Sequence, residues 1–156
     1  MTRFFSDLEL REEHEALLRR HGEETYPEEA CGFLIGPHPV PGELRRVVDA
    51  VVRAENEKRS ERTHRFLINP DQLRHLEQYW ESKGRSVVGI YHSHPDHPAA
   101  PSQFDLEHAW PWYAYVLIGV DHGRAQKVAA FELDPDGAGW QPRPIVHPIP
   151  PLITER

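Results

Sequence analysis

The stretch Ser86-Val87-Val88-Gly89-Ile90-Tyr91-His92-Ser93-His94-Pro95, running on through Asp96-His97-Pro98-Ala99-Ala100-Pro101 into Ser102-Gln103-Phe104-Asp105, decides how the chain is read. Its first six residues are a short, β-branched apolar run entered past Gly84, a helix stop, so the stretch opens as a strand. His92 and His94 then stand two apart at the strand end, on one face, and Pro95 closes the ladder beyond them. After the proline-rich turn, Ser102-Gln103-Phe104-Asp105 can begin a helix that returns an acidic side chain over the strand end. Two imidazoles and one carboxylate leave a tetrahedral zinc with an open fourth position, the arrangement of a catalytic and not a structural metal.

Upstream, Pro27-Glu28-Glu29-Ala30-Cys31-Gly32-Phe33-Leu34-Ile35-Gly36 places acidic residues at the head of a compact apolar run. Together the two stretches resemble the JAMM (MPN+) metalloprotease signature: H-x-H-P, a spacer, S-x-x-D, and a separate upstream glutamate. The similarity covers most of the chain and points to the small, single-domain prokaryotic branch. It implies a mixed α/β, three-layer fold, a mixed sheet with packed helices related to the cytidine deaminases. It implies one zinc per chain, held by His92, His94 and Asp105, and it aligns Glu29 as the catalytic glutamate and Ser102 as a donor to the oxygen that becomes negative in the tetrahedral intermediate. The implied activity is a metallopeptidase or isopeptidase that cuts after the C-terminal Gly-Gly of a ubiquitin-like or β-grasp sulfur-carrier protein. A non-catalytic MPN-type interaction module is the alternative, although such relatives typically lack the ligands that this chain keeps. A deaminase would need H-x-E with P-C-x-x-C, and the sequence has one cysteine.

Each singled-out residue has a plainer reading. Ser102-x-x-Asp105 is also a capping box that would start a helix with no metal present, and both roles can hold together. His97 and His108 are rival ligands that the family pattern does not use; His108, one helical turn after Asp105, is the better placed to approach the site. Ser93 points away from the metal. Cys31 reads as a small buried hydrophobe, because hydrolysis by a metal needs no covalent intermediate. Between the adjacent glutamates, strand alternation puts Glu29 on the face of Cys31, Phe33 and Ile35 and Glu28 on the other, so one of them alone can reach the attacking water.

The 156 residues, 38% hydrophobic and 28% charged, suit one soluble domain with a real core, read as 1–156 with a proline-rich extended tail from about 135. A formal net charge of −7 with no basic stripe argues against nucleic acid. A single cysteine excludes an internal disulfide, and the absence of a long apolar run or signal segment makes the cytoplasm the default and a membrane role unexpected. In chain order, Ser6-Asp7-Leu8-Glu9 has capping-box form, and with Leu8, Leu10, Leu17 and Leu18 it predicts a first helix ending near Gly22. Strands follow over Ala30–Ile35, Leu44–Arg53 near a sheet edge, and Thr63–Ile68. Asn69-Pro70-Asp71-Gln72 caps a helix that Gly84 ends. A helix from Ser102 to Ala109, a corner at Trp110-Pro111-Trp112 and a hairpin of Tyr113–Val120 with Lys127–Leu133 complete the order, with Ile145-Val146 pairing once in the tail. The loop Glu55–Arg65 and the corner Trp110–Tyr113 are candidate walls for a substrate tail that enters by strand addition.

Overall fold

The motif strand forms the centre of the molecule. A computed structural model describes residues 3–54 and 68–149. In it β5, Arg85–Pro95, lies between β2, Cys31–Pro37, on one side and β6, Ala114–Asp121, on the other. β2 runs antiparallel to β5 and β6 runs parallel to it, which makes the sheet mixed. The remaining strands are added antiparallel: β4, Ala50–Ala54, outside β2, then β7, Arg124–Leu133, and β8, Trp140–Arg143, beyond β6. The order β4-β2-β5-β6-β7-β8 leaves β4 at an edge, as expected for this run. A second sheet of three short parallel strands, β3-β1-β9, is built from Arg45–Val47, Asp7–Glu9 and Ile145–Val146.

The two faces of the large sheet carry separate apolar clusters. Strand β6 alternates strictly, with Ala114, Val116, Ile118 and Val120 in one cluster and Tyr115 in the other. The first cluster includes Leu18 of α1, Glu12–Thr25, and Leu8 of β1; the second includes Leu73 of α2, Pro70–Glu81, together with Cys31, Phe33 and Ile90. Helices therefore cover both faces, the three-layer arrangement. In β5 the alternation breaks once. The register slips between Leu34 and Ile35, so that Val87 and Ile90 share one face while Val88 and Tyr91 share the other. Glycine is obligatory at Gly32, opposite Tyr91, because a Cβ there would come within 2.4 Å of the tyrosine ring and of the Val52 carbonyl.

Three expectations need correction. Ser6–Glu9 does not begin a helix: Asp7–Glu9 is strand β1, clamped between β3 and β9, and α1 starts at Glu12 from Arg11 without a side-chain cap. Leu8 and Leu10, both fully buried, follow a period of two and not a helical stripe. Leu44–Arg53 is two strands in two sheets, parted at Val48-Asp49, where the Val48 amide donates to the Glu9 carbonyl and the Asp49 amide to Ile35. The tail pairs twice and not once, since β8 joins the sheet edge with Pro142 opposite Phe131; a proline is tolerated there because one side of an edge strand has no ladder to complete. The strand expected at Thr63–Ile68 and the loop at Glu55–Arg65 fall outside the described residues, apart from Ile68, which is buried.

The second helix and the β6–β7 hairpin are found in place. The Asn69 side chain caps α2 by accepting from the Asp71 amide, Gly84 follows at φ +74°, and His122 and Gly123 take φ +50° and +84° in the β6–β7 turn, the primed geometry of a tight hairpin. The corner at Trp112 sits away from the histidines. Buried Arg46 lies between the Phe5 and Trp112 rings, 4.7 and 4.2 Å from their centroids, and donates to the Trp112 and Val88 carbonyls. Val88 precedes His94 by six residues, roughly 20 Å of strand, which sets Trp112 far from the histidine end of β5. No helix among the described residues is long and apolar enough to cross a membrane.

Candidate metal centre

The histidines lie where the sheet pairs them with small or apolar neighbours. His92 is opposite Cys31 in β2 and Leu117 in β6, and His94 is beside Gly119. Gly119 interrupts the strongest strand of the chain for a reason: a Cβ there would stand 3.3 Å from the Ala99 nitrogen and the His97 carbonyl, so its absence lets the spacer loop fold across β6. That fold brings the Pro98 carbonyl to 2.9 Å from His94 Nδ1. A carbonyl only accepts, so His94 Nδ1 carries a proton, and in the neutral ring Nε2 is left with the lone pair a metal would take.

Asp105 comes from α3, Gln103–Glu107, and its direction is set by the cap of that helix. Ser102 Oγ accepts from the Asp105 amide at 3.1 Å, and Asp105 Oδ2 accepts from the Ser102 amide at 2.7 Å. So held, the carboxylate faces both imidazoles, with Oδ1 3.0 Å from His92 Nε2 and Oδ2 3.2 Å from His94 Nε2. All three side chains are buried, at 1%, 7% and 8% exposure for His92, His94 and Asp105. Burial pushes His92 below its ordinary range, with the Asp105 carboxylate opposing. For Asp105 burial also acts against the charge, but His92, His94 and the Ser102 amide together outweigh it and hold the carboxyl well below the usual range.

These residues fit a metal. The donor atoms lie within 4.8 Å of one another. Two donors sharing a tetrahedral zinc at about 2.0–2.1 Å stand about 3.3–3.4 Å apart, close to the 3.0 and 3.2 Å seen here. In the neutral ring that a metal requires, His94 Nε2 and Asp105 Oδ2 would be two acceptors facing each other, a contact that a cation between them would make favourable.

Glu29 stands outside this donor cluster and is 4% exposed. Cys31 pairs with His92 and Ala30 bonds to Ser93, so Glu29 is the residue just beyond the last contact of this segment with β5, at the end of the strand that carries His94. Its charge, after burial, helps raise the Cys31 thiol to about 12, which leaves that cysteine an inert core residue. Glu28 is half-buried. Both rival histidines are exposed; the His108 ring stacks on Phe104 at 4.0 Å between centroids and turns its Nδ1 to the Phe104 carbonyl. A second group, Asp96, Asp121 and His122, is fully on the surface and ties the hairpin turn together, with the His122 amide donating to Asp96 at 2.8 Å.

The model of a known family, prokaryotic homologs of the JAB domain, matches residues 11–134, a span that holds Glu29, His92, His94, Ser102 and Asp105. The chain belongs to this family. Two curated relatives of this JAB-domain chain are a desampylase of Haloferax volcanii and a probable TtuB-protein conjugate cleaving protease of Thermus thermophilus. The first is 33% identical over 61% of this chain and 65% of its own length. The second is 35% identical over 69% of this chain and 66% of its own. The match thus spans just under two thirds of either relative. Among solved structures, one from Salinibacter ruber is 38% identical with a TM-score of 0.68, covering 96% of both chains. One from Desulfitobacterium hafniense, 24% identical, has the same fold at a TM-score of 0.75 over 90% of this chain and 92% of its own.

Two features of the JAB-domain site escaped the sequence reading: the Pro98 carbonyl that orients His94, and the Ser93 hydroxyl, which accepts from the Ala30 amide at 2.8 Å. The first had a signal in Gly119, a glycine inside an otherwise apolar strand. The second had none, because a serine between two histidines reads as a spacer.

Proposed function

We propose that this chain is a zinc-dependent isopeptidase or peptidase that cleaves after the C-terminal Gly-Gly of a ubiquitin-like or β-grasp sulfur-carrier protein in the cytoplasm. The observation that carries this reading is the buried Asp105 carboxylate facing both histidine Nε2 atoms, a three-donor set that leaves one tetrahedral position for reacting groups. A bound zinc supplies Lewis acidity, polarising the scissile carbonyl and making water a nucleophile near neutral pH. Glu29 accepts the proton of the attacking water and returns it to the leaving amine. Ser102 spends a lone pair on the Asp105 amide and keeps its hydroxyl hydrogen to donate to the oxygen that gains charge. The names of the Haloferax and Thermus relatives support a protein conjugate as substrate. An interaction module would have no use for the buried donor set, and nothing else among the described residues favours that role.

The test is to measure metal by elemental analysis and cleavage of a carrier joined through Gly-Gly to a lysine side chain. The expected result is one zinc per chain, with cleavage lost on chelation and restored by zinc. A zinc-loaded chain that cuts none of a panel of such conjugates would overturn the reading.

A further inference from the structure

The segment that bears Glu29 leaves the sheet immediately before β2, at the residue paired with Ser93. The Ser93 amide donates to the Ala30 carbonyl at 2.9 Å, as a regular antiparallel ladder requires. The returning bond is different: the Ala30 amide donates to Ser93 Oγ at 2.8 Å, so a side chain stands in for the carbonyl that a ladder would use. Ser93 is fully buried and Ala30 is 2% exposed, so neither group has water to fall back on.

We infer that Ser93 is a positioning residue for Glu29, holding through Ala30 the direction in which the carboxylate meets the metal site. This rests on the proposed function above. Ser93 lies between the two histidines but turns to the opposite face, toward Gly22 of α1, so the run that carries His92 and His94 also ties down Ala30, the residue next to Glu29. The other end of the segment is tied to the far side of His94, where the Tyr26 hydroxyl donates to exposed Asp96 at 2.7 Å. The base and the ligands thus share one strand end as a common frame, with the buried clamp at Ser93 the stronger of its two anchors.

The experiment compares Ser93→Ala, Ser93→Thr, Glu29→Gln and the double variant Ser93→Ala/Glu29→Gln. Amide exchange at Ala30 is measured by NMR on the metal-free proteins, and kcat and KM on the zinc-loaded ones, with a Gly-Gly carrier linked to a fluorescent lysine peptide. Ser93→Ala is expected to speed exchange at Ala30 and to lower kcat roughly 10- to 100-fold, the range of a small misplacement of a reacting group. KM and zinc content stay unchanged, Ser93→Thr restores both readouts, and the alanine costs nothing further in the Glu29→Gln background. Should the alanine variant prove too unstable, Ser93→Cys repeats the test with similar volume and a weak acceptor. Unchanged Ala30 exchange, or an equal loss of kcat with and without Glu29, overturns the inference while leaving the isopeptidase reading intact. A fully active Glu29→Gln protein sinks the base assignment itself, and Ser93 then has nothing to position.

Discussion

Replacing Ser102 by alanine separates two roles that the structure superimposes on one side chain. As a cap, Ser102 Oγ receives the Asp105 amide at 3.1 Å, while the reciprocal bond from the Ser102 amide to Asp105 Oδ2, at 2.7 Å, does not involve the hydroxyl and survives the change. Losing an N-cap of this kind costs about 1 kcal/mol, and in a chain of this length that lowers the melting temperature by about 2–4 °C. As a donor to developing negative charge, the same hydroxyl is worth about 10²–10³ in kcat, or roughly 2.7–4 kcal/mol, more than the cap alone can supply. Ser102→Thr keeps acceptor and donor and should behave as the parent. Ser102→Asp keeps a good cap but has no hydrogen to give, so it should restore the melting temperature without restoring turnover. The assay is kcat on a Gly-Gly conjugate beside thermal unfolding and zinc content of all three variants. An aspartate variant as active as the parent, or an alanine variant within about threefold of it, would refute the donor role and leave capping as the whole function of this serine.

Asp105→Asn keeps the shape but replaces the anionic ligand with a neutral amide, and elemental analysis should find the zinc lost. Full occupancy would show that the donor set is wrong. Glu29→Gln should retain zinc and lose about 10²–10⁴ in kcat, whereas Glu28→Gln should stay near the parent; the opposite pattern would exchange their roles. His21, 7% exposed and 2.7 Å from the Tyr91 hydroxyl, is lowered to about 4 by burial first and Arg53 second, with Glu24 opposing. A lowered folded value means that the unfolded chain takes up the proton first. The contribution of His21 is therefore complete above about 6.5 and is lost as pH falls from there toward 4, with a limit on the order of 3 kcal/mol. His21→Gln should flatten denaturant-measured stability in that window relative to the parent, and identical slopes would count against it.

The elements that could be read locally were those whose signals are local. Asn69 and Pro70 mark the start of α2 by capping chemistry, and Asp121-His122-Gly123 marks a hairpin through two residues that adopt positive φ. The misread ones are fixed by distant partners. Asp7–Glu9 has the letters of a capping box, yet it becomes a strand because Arg45–Val47 and Ile145–Val146 pair with it on either side, and no window around residue 7 contains them. The run Leu44–Arg53 is uniformly β-prone, so its propensity could not reveal that Val48-Asp49 passes from one sheet to the other. The tail reads as extended without showing that Trp140–Arg143 pairs, because the edge position that tolerates Pro142 becomes visible only once the sheet order is known.

The site was more legible than the fold around it, because its donors come from two adjacent local motifs, a strand end and a helix cap. What the letters left open was whether Asp105 is a cap or a ligand. The cap accounts for one oxygen: Oδ2 takes the Ser102 amide, and a helix start asks nothing more of the side chain. The other oxygen, Oδ1, lies 3.0 Å from the Nε2 of a histidine that is 1% exposed, and a cap gives no reason for that approach. Nor does it explain His94, whose Nδ1 is engaged by the Pro98 carbonyl and whose Nε2 faces Oδ2 at 3.2 Å. Burying two imidazoles against a carboxylate already served by its own helix costs desolvation that capping does not return. That surplus is what a shared cation offsets, and it is the physical reason for reading the cap as the device that aims a ligand.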